Sequence, residues 1–212
     1  MNARDILTKN SVIPIITISH LNSSVVDLAL ALIEGGITTL EITLRTPAGI
    51  EAIRQLKKEI PAAIIGAGTV INANQLHAVI DAGAAFAISP GINSHFAKAA
   101  SSSPIPVITV VATAGEIMLA LEHGIDTLIL FPAQTIGGVN ILKAFYGPFP
   151  NVQFCASGGI TPHNASEYLA LPNVLCVGAS WLTPQDLITN RDWTAITQLA
   201  QTAAALKNNQ VA

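Results

Sequence analysis

Two hydrophobic patterns alternate along the chain. Short apolar runs occur at VIPIITI (12–18), TTLEITL (38–44), AIIGAGTV (63–70), FAISP (86–90), PVITVVA (106–112), TLILFP (127–132), QFCASGG (153–159) and VLCVGAS (174–180). Runs of this length with little apolar/polar alternation predict strands buried on both faces, as in a parallel sheet covered by helices. Between them, SSVVDLALALIEGG, PAGIEAIRQLKKEI, ANQLHAVIDAGA, NSHFAKAASSS, AGEIMLALEHGI, GGVNILKAFYGP and TPHNASEYLALP carry apolar residues near i, i+3, i+4 and i+7. That is the period of a helix with one buried face. Several of these segments end in glycine, the residue that most easily takes the left-handed conformation closing a helix. A short helix is predicted at the N-terminus and another over about 192–207.

Eight strand-helix units, spaced 20 to 26 residues apart with no linker or low-complexity tract, predict an α/β chain folded as one (β/α)8 TIM barrel over residues 1–212. An open dinucleotide-binding sheet would carry a GxGxxG turn after its first strand. This chain has SHLNSSVV there. In a barrel, chemistry belongs at the C-terminal ends of the strands and in the loops that follow them.

Composition adds exclusions. Half of the residues are hydrophobic and 11% are charged, which suits a large core, yet no apolar run reaches the roughly 18 to 20 residues of a membrane span. The start MNARDILTKN has no apolar signal core, so the expected location is cytoplasmic. Net charge is −3 and the ten Lys and Arg form no basic stripe, which argues against nucleic acid or an anionic membrane as partner. Cys155 and Cys176 lie inside apolar strands without CxxC spacing and are expected to be buried reduced thiols. The five histidines, at 20, 77, 95, 123 and 163, show no ligand spacing, so no metal site is expected. Trp181 and Trp193 read as packing groups.

In TTLEITLRT, strand alternation puts Glu41, Thr43 and Arg45 on the face opposite Leu40, Ile42 and Leu44. The leucine face must meet the helices, so the charged face points into the barrel. There Glu41 loses hydration, its pKa should rise, and it suits a general base. Arg45, nearer the mouth, offers a planar fork for a carboxylate or phosphate; a purely structural Glu–Arg pair is the alternative. GAGT (66–69) brings backbone close and supplies the Thr69 hydroxyl, or simply packs a barrel layer. After strands seven and eight, Ser157, Gly158, Gly159, Gly178, Ala179 and Ser180 read as an anion site built from backbone N–H groups, with plain turns as the alternative.

In order, EITLRT, GAGTV, ISPGI, LFPAQ with a following GGV, GPFPNV, SGGI and VGASW make nearly the whole chain resemble the 2-keto-3-deoxy-6-phosphogluconate (KDPG/KHG) aldolases. The resemblance implies a cytoplasmic, homotrimeric (β/α)8 class I lyase, without metal or organic cofactor. Its reaction splits a phosphorylated keto-deoxy sugar acid into pyruvate and glyceraldehyde 3-phosphate. It makes Glu41 the proton shuttle, sets Arg45 and Thr69 at the pyruvate carboxylate, and lines the site with Pro90 and Phe131. Ser157 stands where the family usually has the Thr of PTGG, while Gly158, Gly159 and Ser180 match the phosphate end.

The departure is on the sixth strand. Where the family pattern K-F-F-P supplies an imine-forming lysine, this chain has Ile129-Leu130-Phe131-Pro132. The six lysines, at 9, 57, 58, 98, 143 and 207, all fall on predicted helices or the N-terminal segment. The fifth strand reads TVVATAG, PTGG becomes ASGG, and the acid after FPA becomes Gln134. Isoleucine cannot form an imine, so the family mechanism is expected to be severely reduced or absent. Three readings stay open: a family lyase by descent; a repurposed or engineered barrel in which Glu41, made more basic by Ile129, Val110 and Val111, works without an imine; and a non-catalytic sugar-phosphate-binding barrel or scaffold.

Overall fold

The computed structural model describes residues 1–22 and 24–206; Ser23 and Lys207, at the edges of two predicted helices, lie outside the described residues. Eight strands, Val12–Ile16 (β1), Thr39–Thr43 (β2), Ile64–Gly68 (β3), Phe86–Ser89 (β4), Val107–Val111 (β5), Thr127–Leu130 (β6), Gln153–Ser157 (β7) and Val174–Ala179 (β8), pair in parallel and in chain order. β8 returns to β1 and closes the barrel. Each strand stops one or two residues short of its apolar run at the C-terminal end. Hydrophobicity continues there because rim residues such as Ile18 and Val70 stay buried beneath the loops.

The connecting helices are Ser24–Glu34 (α2), Gly49–Glu59 (α3), Ala73–Asp81 (α4), Ser94–Ser101 (α5), Ala114–Glu122 (α6), Gly138–Tyr146 (α7) and Ala165–Leu169 (α8). Gly36, Gly83 and Gly124 follow α2, α4 and α6 with positive φ, as the glycine closures required. Gln185–Asn190 (α9) has little periodic signal in the sequence, because none of its residues is fully buried and only Leu187 and Ile188 pack, half-buried, against the core. Trp193–Ala204 (α10) packs on α2, where Thr197 Oγ1 donates to the Ala31 carbonyl at 3.0 Å. Trp181 and Trp193 pack against this outer core.

Two cores result from strand alternation. Residues such as Leu40, Ile42, Leu128 and Leu130 face the helices, while Ile13, Phe86, Ile88, Ile108, Ile129 and Cys155 fill the barrel. Ile6 and Leu7 of Ala3–Leu7 (α1) join the inner cluster and are fully buried, so α1 plugs the N-terminal end of the barrel. Asn10 ties this end to β2. Its Nδ2 donates to the Gly36 carbonyl at 2.9 Å, and its Oδ1 accepts from the Thr38 and Thr39 amides at 3.0 Å. A buried amide satisfied in this way fixes where β2 starts, and hence the depth of Glu41 two residues later.

Candidate active site

Glu41 sits opposite Ile15 of β1 and Gly66 of β3, with its side chain inside the barrel and the residue 7% exposed. The carboxylate lies across Gly68: a Cβ there would come 2.0 Å from Glu41 Oε1. Gly68 is therefore the space the acid occupies. Gly68→Ala is expected to push the carboxylate out of this position and to destabilise the fold by about 1–3 kcal/mol, read by urea denaturation, as overpacking of a buried site does.

Among the described residues, the Glu41 carboxylate has no hydrogen-bond partner and no ion pair within 4.0 Å. Desolvation raises its pKa from 4.5 to about 7, against a smaller lowering by the Arg45 charge. The contact Glu–Arg pair left open by the sequence is not formed. β2 ends at Thr43, so Arg45 lies in the following turn, exposed at the rim. Thr43, fully buried, meets the Thr17 hydroxyl at 2.9 Å and closes the rim between β1 and β2.

Glu41 opens onto a cavity of about 80 Å3 that also contains Arg45, Thr69, Pro90, Ile129, Phe131 and Ser157. Every residue assigned from the sequence to the reacting end thus shares one hollow. Ile15, Ile88 and Val110 complete the wall. Val110 is there as expected, but Val111 is not. It is buried in the outer core, because neighbouring strand residues face opposite sides. Ile15 and Ile88 were readable, two residues from inward-facing Ile13 and Phe86, but carried no polar atom to draw notice.

Thr69 follows β3 with φ 62, a left-handed conformation rare for a β-branched residue. Such strain costs on the order of 1–3 kcal/mol and concentrates at ligand sites. Phe131, 44% exposed, lies against Gly158, and the Phe131–Pro132 peptide is cis.

Gly158, Gly159, Gly178, Ala179 and Ser180 lie at the ends of β7 and β8, beside the cavity rather than lining it. Gly158 and Gly159 have φ of +91 and +76. The amide N–H groups of Gly158, Gly159 and Ser180 have no acceptor among the described residues. Ala179 turns its methyl to the outer core, so only its backbone faces the rim. Open amides at glycine turns form concavities suited to anions.

Of the larger hollows that contain neither Glu41 nor these glycines, one, of about 240 Å3, lies between the β1–α2 connection and α9. Another, of about 560 Å3, lies at the plugged end. No group of three His, Cys, Asp or Glu side chains converges as a metal-ligand set among the described residues. Cys155 and Cys176 are buried free thiols paired across β7 and β8; burial, then contact with Cys155, pushes the Cys176 thiol up. Among the described residues no helix is long and apolar enough to cross a membrane.

The family model described as KDPG and KHG aldolase matches residues 3–199. The chain is 47% identical over 202 residues to the KHG/KDPG aldolase of Escherichia coli strain K12, covering 95% of this chain and 94% of that one. It is 47% identical over 204 residues to the 2-dehydro-3-deoxy-phosphogluconate aldolase of Dickeya dadantii, covering 96% and 95%. The Legionella pneumophila KDPG aldolase, solved with pyruvate captured at low pH as a covalent carbinolamine intermediate, superposes with a TM-score of 0.93 at 45% identity, covering 95% of this chain and 98% of that one. The Zymomonas mobilis ZM4 enzyme with 3-phosphoglycerate gives 0.93 at 40% identity, covering 99% of each chain.

Proposed function

Because the chain belongs to the KDPG and KHG aldolase family, we propose that it binds phosphorylated 2-keto-3-deoxy sugar acids and their pyruvate half at this mouth, without cleaving them through an imine. One observation carries the reading: Ile129, 4% exposed, occupies the inner wall beside Val110 and Cys155, in the same cavity as Glu41. A carbinolamine such as the one captured in the Legionella relative needs an amine. Lys9, Lys57, Lys58, Lys98 and Lys143 are all exposed outside the barrel.

Within this reading Arg45 and Thr69 hold the carboxylate, and Pro90 and Phe131 flank the ketone. Ser157, Gly158, Gly159, Gly178, Ala179 and Ser180 receive the phosphate. Glu41 can carry a proton near neutral pH, but a proton taken beside the ketone leaves an enolate whose charge an imine would have absorbed. Ile15, Ile88, Val110 and Ile129 offer that charge nothing, and Arg45 is held at the rim. Binding therefore survives where turnover does not. A homotrimer and a cytoplasmic location belong to the same reading, by family.

Borohydride treatment with pyruvate, read by intact mass, should leave the protein unmodified, while KDPG raises its melting temperature in a concentration-dependent way. A reduced pyruvate adduct on any lysine overturns the loss of the imine. Absence of a shift at millimolar KDPG overturns the binding.

A further inference from the structure

The loops after β6 and β7 are joined by a set of contacts that the reacting end does not use. The Ala133 amide donates to the Ser157 carbonyl at 2.7 Å, and the Gln134 amide to the Gly158 carbonyl at 3.0 Å. The Gln134 side chain lies on Gly159, where an added Cβ would meet Gln134 Cβ at 2.6 Å. From α8, the Tyr168 hydroxyl donates to Gln134 Oε1 at 2.6 Å, while Asn164 Nδ2 holds the Gly159 carbonyl at 3.0 Å. Tyr168 is only 1% exposed, so its ring is fixed in the core. Burial, and then the Glu167 charge, raise its pKa, so the hydroxyl stays a donor.

We propose that Gln134 and Tyr168 are positioning residues that hold the Gly158–Gly159 turn open toward a phosphomonoester, and so set the preference for phosphorylated over unphosphorylated acids. The inference rests on the phosphate assignment above. Its logic is mechanical. Two successive glycines in the left-handed region have wide conformational freedom. A turn of that kind keeps unpartnered N–H groups aimed at one point only if neighbouring contacts restrict it. Here the backbone bonds fix the turn's carbonyl side, and the tyrosine pins the side chain that covers Gly159. Gln134 makes this contact without charge. A carboxylate there would accept the same hydrogen bond but place a negative charge beside the incoming phosphate.

Titration calorimetry with 3-phosphoglycerate and with glycerate tests this on the full chain. Tyr168→Phe and Gln134→Ala should weaken 3-phosphoglycerate by about three- to tenfold, the scale of one lost hydrogen bond, with glycerate unchanged. Hydrogen exchange at the Ala133 and Gln134 amides should speed up in both variants. Gln134→Glu should keep those amides protected yet weaken 3-phosphoglycerate more at low salt than at high salt. Phosphate binding equal to the parent in both Tyr168→Phe and Gln134→Ala overturns the positioning role. An equal loss for both ligands overturns the selectivity. A parent that does not prefer 3-phosphoglycerate over glycerate overturns the phosphate assignment, and this inference with it.

Discussion

Ile129→Lys is expected to raise aldol cleavage of KDPG on the order of 10^3-fold or more, a scale set by what removing a covalent nucleophile costs other enzymes. It should also make the protein trappable by borohydride with pyruvate. Position 129 sits in the inner wall of the cavity that Glu41 opens onto. An amine extending from there is partly desolvated, which lowers its pKa and keeps a nucleophilic fraction at neutral pH. Glu41, in the same cavity, is then placed to exchange protons with the intermediates. Ile129→Met serves as the volume control and should stay inactive. A folded Ile129→Lys protein that gives neither adduct nor cleavage would show that the surrounding groups have drifted beyond use.

The second large effect concerns pH and stability. Glu41 has a folded pKa of about 7 against an ordinary 4.5. Between those values the folded chain keeps a proton that the unfolded chain has released. The associated stability is complete below about pH 4.5, falls as pH rises through 7, and is gone above it. The full shift corresponds to about 3.4 kcal/mol, of which about 2.5 kcal/mol is lost between pH 5 and pH 8. Urea denaturation at pH 5 and pH 8 should therefore show the parent losing roughly this much relative to Glu41→Gln, which is uncharged throughout. Glu41→Gln should be the more stable protein at pH 8. Parallel pH dependences for the two proteins would mean that the carboxyl ionises as an ordinary glutamate.

Much of this was visible in the residues themselves. All eight strands follow from apolar runs because both of their faces are buried, and a run of that kind needs no partner to be recognised. The inward turn of Glu41 follows from Leu40 and Ile42 alone. Less was readable at the rim. There the strand ends at Thr43, so Arg45 reaches the same cavity from a turn, too far from Glu41 for the contact pair that alternation allowed. Of the neighbours Val110 and Val111 only one can face the cavity, and the register against β6, Val110 opposite Ile129, decides which. The contact between Gln134 and Tyr168 joins residues 34 positions apart and has no local signal. The partnerless state of Glu41 depends on distances that no spacing encodes.

The short helix under the barrel carries a consequence for traffic. With Ile6 and Leu7 stoppering the far end, a ligand bound as proposed enters and leaves by the rim. In the proposed reading the ketone faces the inner wall at position 129 and the phosphate sits on the glycine turns beside the cavity, so a cleaved substrate releases its phosphate-bearing piece first. If Ile129→Lys does restore cleavage, departure should follow that order, and triose phosphate added in excess should delay the exit of pyruvate.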